Sequence, residues 1–169
     1  MAKVEFKGIK DYIKMLEGLG GNAYELCKAA TFAGAAVAAD EIRKAIDNLD
    51  AVSDAEALAA YQERKPTKIS VSQKNGLRKA LGIAHITNKY GVIGTKVGFD
   101  GYNVVTTRRW WNGQPNRLIA NACESGSTAM IKQPFVRPAV NRSKNLILFE
   151  MERAADKKLK EILGGNAND

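Results

Sequence analysis

The feature that most limits how this chain can fold is the run from Ala23 to Leu49, which reads as one long helix with an inner stripe of mostly small side chains. Ala35, Ala38, Ala39, Ile42, Ala45, Ile46 and Leu49 recur at helical spacing along that stripe. Ala30, Gly34 and Ala38 follow one another a turn apart and carry almost no side chain, so another backbone can approach closely there. The partner is either a helix of the same chain or a neighbouring subunit, and packing within the chain is the simpler expectation. Asn22, with Glu25 three residues on, resembles a capping box at the start of the helix.

A second long helix is expected at the other end. It runs from Pro138, where a first-turn proline is tolerated, to Leu163, with Leu148, Met151, Ala155, Leu159 and Ile162 on one stripe and Gly164-Gly165 as its stop. Its length is roughly 39 Å at about 1.5 Å per residue. A shorter helix holding Leu118, Ile119 and Ala122 follows Pro115-Asn116 and ends at Gly126, and Asn166–Asp169 should fray. At the start of the chain, Val4 and Phe6 alternate with Lys3, Glu5 and Lys7 as in a short strand. Ile9, Tyr12, Ile13, Leu16 and Leu19 then mark a helix stopped by Gly20-Gly21.

Between the helices, Ile83–Thr87 and Val92–Phe99 are rich in β-branched residues, and Asn88-Lys89-Tyr90-Gly91 between them predicts a hairpin turn. After the Asp100-Gly101 turn signal, Val104–Thr107 can form a further strand. Three antiparallel strands with a greasy face that includes Ile93, Val97 and Phe99 need a helix to cover them. Ser53 and Glu56 form a capping box ahead of an Ala-rich helix ending near Gln62. Residues 63–79 then turn basic, with Arg64, Lys65, Lys68, Lys74, Arg78 and Lys79 against the single acid Glu63, and Pro66 and Gly76 act as breakers. An exposed loop leading to a short helix at Leu77–Leu81 is expected there.

The 169 residues suit one domain with one apolar core. The fold class follows: α+β, a small antiparallel β-sheet packed against two long α-helices, with additional short helices. Residues 48–75 are expected as a loop and short-helix insertion and 164–169 as a frayed tail. The net charge of +8, with a pI near 9.5, favours an anionic partner such as nucleic acid, an acidic protein face or a membrane surface, without choosing among them. No apolar signal core follows Lys3, and the longest near-apolar run, Ala29–Ala39, falls short of a membrane span, so neither secretion nor membrane insertion is expected.

Cys27 and Cys123 stand far apart and His85 is the single histidine, which excludes the usual zinc patterns, implies no cofactor and favours a reducing compartment. His85 has no acidic partner nearby in sequence and reads as a structural or surface residue. Glu124-Ser125-Gly126-Ser127 lacks the frame and the preceding strand of a nucleophile elbow, and a helix end with a turn explains it better. Catalysis is therefore not expected. Arg108-Arg109-Trp110-Trp111 is out of place as ordinary surface. Arginine and tryptophan are enriched at protein interface hot spots and also stack on bases. The segment is a candidate interface, with core anchoring by the tryptophans and nucleic-acid contact as alternatives.

A longer pattern carries a family resemblance. Val97-Gly98-Phe99, Pro115-Asn116-Arg117-Leu118-Ile119-Ala120, Glu124-Ser125-Gly126-Ser127 and Gln133-Pro134-Phe135-Val136-Arg137-Pro138-Ala139-Val140 stand in order. In order and spacing this block resembles the tail-completion, or neck, family of long-tailed double-stranded DNA bacteriophages. The opening Val4-Glu5-Phe6-Lys7-Gly8, the helix with Tyr12 and Leu16 and the Ala-rich helix are consistent with it, while residues 50–75 and 108–114 are the least typical. Family members often carry Gly-Thr-Ser after the glutamate, where this chain has Gly126-Ser127-Thr128.

The resemblance implies a small non-enzymatic α+β subunit of the virion, assembled in the bacterial cytoplasm into a hexameric ring around the DNA channel. It implies head-closure proteins and the tail terminator or tail tube as neighbours. Pro134, Phe135, Arg137 and Pro138 are read as a structural turn that sets the direction of the last helix, more than as a partner contact. The alternative reading is a basic DNA-binding protein, resting on the net charge and the Arg64–Lys79 cluster.

Overall fold

The computed structural model describes residues 19–165. The expected strand at Val4–Phe6, nearly all of the helix Ile9–Leu19 and the tail 166–169 lie outside the described residues. Two long helices dominate: α1, Ala23–Asp47, with 25 residues, and α5, Val136–Gly165, with 30 residues. They run side by side, and the small residues of α1 show why. A Cβ on Gly34 would lie 2.6 Å from Cγ and 2.8 Å from Sδ of Met151 and 3.3 Å from Cγ2 of Ile147. The partner of the small-residue stripe is thus a helix of the same chain. Ile42 and Ile46 near the end of α1 share a core with Ala139 and Val140 near the start of α5, so the pair is antiparallel.

Both helix starts differ from expectation. Asn22 forms no capping bond, because a 3-10 turn over Gly20–Asn22 keeps its backbone helical (φ −86°, ψ −5°) and leaves no extended cap residue. α5 begins two residues before Pro138, whose missing N–H costs nothing in a first turn where amides have no intrahelical acceptor. It also runs through Gly164 to Gly165, past the expected stop. Leu148, assigned to the inner stripe, is exposed, and Ile147 faces α1 in its place.

The sheet content is smaller and more divided than expected. β1, Ala51–Val52, pairs in parallel with β2, Ile69–Ser70. β3, Leu81–Ile83, pairs antiparallel with β6, Val97–Phe99, and β4, Thr87–Lys89, with β5, Val92–Gly94, so residues 81–99 form one interrupted hairpin. The turn is tighter than the four residues expected: Lys89 and Val92 pair directly, and Tyr90 and Gly91 take φ of 55° and 80°. Positive φ at both central positions matches the right-handed twist of a two-residue hairpin. Val104–Thr107 is not a strand. Its amides turn inward to Asn103 Oδ1 and the Trp110 carbonyl, and the segment pairs only loosely with Trp110–Pro115.

The excursion between the paired strands β1 and β2 carries α2, Asp54–Gln62, started by Ser53 Oγ accepting from the Glu56 amide at 3.1 Å. No residue of α2 is buried. The ends of the expected 48–75 insertion are core, however, with Leu49 and Ile69 buried. The basic stretch 63–79 is not a loop up to Leu77. α3 spans Val71–Ala80 and opens on a full capping box between Ser70 and Gln73. Gly76, read as a breaker, lies inside α3, where full burial of Leu77 outweighs its weak propensity.

α4, Asn116–Ser125, completes the core with Ile119, Ala120 and Cys123. Ile46, Ile69 and Leu77 have no exposed surface, and burying each such side chain contributes about 1.5–3 kcal/mol. A buried amide pair ties the 100–116 region to α3. Asn103 Nδ2 donates to the Gln73 carbonyl at 3.2 Å and to Asn116 Oδ1 at 3.1 Å, and Asn116 Nδ2 donates to the Asp100 carbonyl at 3.0 Å. Gly76 makes room for this contact, since a Cβ there would lie 1.8 Å from Asn103 Nδ2. Gly76→Ala is expected to lower unfolding stability by about 1–3 kcal/mol, despite the better helix propensity of alanine, measured as a drop in urea midpoint at unchanged m-value.

Candidate interaction site

The motif block at residues 115–140 folds into a joint between α4 and α5. α4 ends where Gly126 takes a φ of 81°, and the chain turns back with Ser127 Oγ accepting from the amides of Ala129 and Met130 at 3.3 and 3.0 Å. Glu124, on the last turn of α4, then meets the start of α5. Its carboxylate accepts from the amides of Phe135, Val136 and Arg137 at 2.8, 3.0 and 3.1 Å. Free amides and the helix dipole make that end an anion site.

Burial pushes the Glu124 carboxyl up, but the three amides, helped by Arg137, outweigh it and hold the group below its ordinary value. Phe135 is buried beneath, edge-on to Phe99 with ring centroids 5.9 Å apart. Gln133 closes the joint, its amide donating to the Cys123 carbonyl at 2.7 Å and its side chain to the Asp50 carbonyl at 3.1 Å. Pro134 and Pro138 flank the buried ring, and Arg137 lies exposed.

The basic segment is largely engaged within the molecule. Lys65 pairs with Glu63 at 2.8 Å, Lys68 with Asp50 at 3.0 Å and Arg78 with Asp47 at 2.8 Å. Lys74 reaches the C-terminal end of α1, donating to the carbonyls of Asp47 and Leu49 at 3.0 and 2.7 Å. Among the described residues only Arg64 and Lys79 of the expected cluster make no such contact. Lys74 and Arg78 thus fasten α3 to the end of α1, and Lys65 and Lys68 are paired beside it, which differs from a free basic loop.

Arg108 and Arg109 sit exposed at the tip of a turn closed by two bonds, the Thr107 amide to the Trp110 carbonyl at 3.1 Å and the Trp110 amide to the Thr107 carbonyl at 3.0 Å. The two tryptophans divide. Trp110 is half-buried with the Arg109 guanidinium 5.6 Å from its ring centre, whereas Trp111 is 77% exposed. Core anchoring therefore does not hold for Trp111. A groove of about 470 Å³ opens between α2 and residues 104–107. Its walls include Leu58, Tyr61, Val105 and Thr107 and its floor Ile119 and Met130.

The residues weighed for chemistry do not assemble. His85 and Ser125 are exposed, and Glu124 is committed to the amides of α5. Burial pushes the Cys123 thiol up to about 11, so it stays protonated, and Cys27 is a free exposed thiol. Among the described residues no group of three or more His, Cys, Asp or Glu is placed to hold a metal ion, and no helix is long and apolar enough to cross a membrane. Two features escaped the sequence reading. The Ser70-Val71-Ser72-Gln73 spacing marks the start of α3. The Glu124 clasp had no local signal, because its partners lie 11 to 13 residues away.

No family model matches the chain, and no curated protein or solved structure is significantly similar to it.

Replacing Glu124 with Gln is expected to cost about 2–3 kcal/mol, since three bonds to an ionised acceptor lose their charge. The folded carboxyl titrates below its unfolded value of 4.5, so this stabilisation is complete above that pH and disappears as pH falls through the lower folded value. Denaturation of both proteins across pH 2–7 checks it: the curves should separate at neutral pH and converge in acid.

Proposed function

We propose that the chain is a structural subunit of a long-tailed bacteriophage neck, one copy of a homo-oligomeric ring, hexameric in the resembled family. It completes the head-proximal end of the tail and joins it to head-closure and tail terminator or tail tube proteins, around the channel that DNA traverses. The observation that carries this reading is the use made of the resembling block. Glu124, Gln133, Phe135 and Gly126 all serve the α4–α5 joint, and none is left over for a reaction. A part whose work is fit to its neighbours needs a stiff frame of this kind and exposed contact points away from it. Trp111, Arg108 and Arg109 supply such points on a turn remote from the α1–α5 pair in sequence.

Mass spectrometry of purified virions, with electron microscopy of their necks, tests the reading. The chain should be present in a few copies per particle and map to a ring at the head-proximal end of the tail. Its absence from purified virions would remove the proposal.

The second reading, DNA binding, draws on the same exposed arginines beside Trp111 and on the charge of +8. It is weakened by the ion pairs and carbonyl contacts that occupy Lys65, Lys68, Lys74 and Arg78. Affinity for duplex DNA that falls steeply with salt supports it, and no retention at about 50 mM salt ends it.

Trp111→Ala is expected to weaken association with a neighbouring subunit or ring by more than about 1 kcal/mol while leaving the melting temperature unchanged. Isothermal titration beside a thermal melt separates the two. A parallel loss of stability assigns the indole to the fold instead.

A further inference from the structure

We propose that Asn112 is a site of spontaneous covalent modification, converting through a cyclic imide with Gly113 to aspartate and isoaspartate, while α3 holds the equivalent pair Asn75-Gly76 inert. The chemistry needs no ring of subunits, so it stands apart from the neck reading.

An asparagine side-chain amide can be attacked by the backbone nitrogen of the next residue. Glycine at that next position permits the attack, because it has no Cβ to block a close backbone approach. The Gly113 nitrogen gives its proton to solvent hydroxide and bonds to Asn112 Cγ, the side-chain amide leaves as ammonia, and a five-membered imide closes. Water then opens the ring at one of its two carbonyls. Opening at Cγ leaves aspartate, and opening at the backbone carbonyl leaves isoaspartate, in which the chain runs through the old side chain. One water is consumed, one ammonia is released and the chain gains one negative charge.

Asn75-Gly76 and Asn112-Gly113 are the two places where asparagine precedes glycine, and their settings differ. Asn75 and Gly76 lie inside α3, where the helical backbone keeps Cγ and the next nitrogen apart and the Gly76 amide belongs to the helix ladder. Freeing them means unwinding a helix that is anchored by the buried Leu77 and packed against Asn103. Asn112 instead is exposed, on a turn closed by one bond from the Gly113 amide to the Trp110 carbonyl at 3.1 Å. Gly113 has a φ of 107°, outside any helix. Opening one such bond slows the attack about two- to tenfold. Opening a core helix slows it by further orders of magnitude.

The turn that changes is the one that presents Trp111. Aspartate at 112 sets a negative charge beside the exposed Arg108 and Arg109, and isoaspartate adds a methylene to the backbone between Trp111 and the Gly113 amide. Either product remodels this turn with time and without an enzyme.

Peptide mapping by mass spectrometry tests the site on the full chain, kept in mildly alkaline buffer either folded or in urea. In urea both asparagines should convert at similar rates. In the folded chain Asn112 should convert within about tenfold of its rate in urea, and Asn75 at least about a hundredfold more slowly than its own. An Asn112 as slow as Asn75 in the folded chain, or slower, overturns the proposal.

Asn112→Gln supplies the second arm, since the longer side chain closes its ring far more slowly. Gly113→Ala does not serve, because its Cβ would collide with the Asn103 carbonyl oxygen. The Asn112→Gln chain, shown to be folded by circular dichroism, should lose nearly all of the isoaspartate that the folded parent accumulates. Isoaspartate that persists in this variant comes from another residue and defeats the assignment.

Discussion

The Glu124 carboxylate lies against the first three amides around the start of α5, and much of the architecture follows from that contact. A 30-residue helix transmits any error in its starting direction along its whole length. The clasp fixes that direction by joining a charged acceptor to amides that helix geometry leaves free. It also places Phe135 under Phe99 and sets Ala139 into the core. Only with α5 held there does Met151 come over Gly34, so the long-helix pair and the α4 joint are mutually dependent.

Charge is used in the same economical way around α1. Arg78 and Lys74, which in sequence belong to a conspicuously basic stretch, meet the Asp47 carboxylate and the last carbonyls of α1. Cations at a helix C-terminus oppose the dipole there. Surface ion pairs are each worth little, yet together they orient α3 while Leu77 supplies the apolar contact. Two exposed aromatic side chains stand on loops outside this frame, Tyr90 at the tip of the β4–β5 hairpin and Trp111 on the Arg108–Trp111 turn.

The long helices were legible because their signal is local and repeated. Ala35, Ala38, Ala39, Ile42, Ala45 and Ile46 recur with the helix period over about three turns, so no tertiary information was needed to place α1. Ser53 and Gly126 likewise announced a helix start and a helix end through their own chemistry. Short elements fared worse. Residues 71–80 look like loop when judged by Gly76 and the lysines, and become helix because Leu77 is buried and Ser70 and Gln73 cap each other. Val104–Thr107 has strand composition, but Asn103 and Trp110 draw its amides away from any ladder. Of the candidate site, the choice between interface and core for the two tryptophans stayed open, and the burial of Phe135 was foreseeable from residue type. The engagement of four of the six basic side chains was not.

By itself, then, the sequence determined the α+β class, the two long helices and the small-residue face of α1. Each rests on neighbours along the chain or on the intrinsic conformational range of a residue. The tertiary structure alone decided that the stripe of α1 meets α5, that Glu124 clasps α5, that Lys74 and Arg78 tie α3 to α1 and that β5 packs on α1 while β4 stays exposed. Those outcomes depend on which polar atoms and which apolar faces meet across long stretches of chain, and only the packed core brings them within bonding distance.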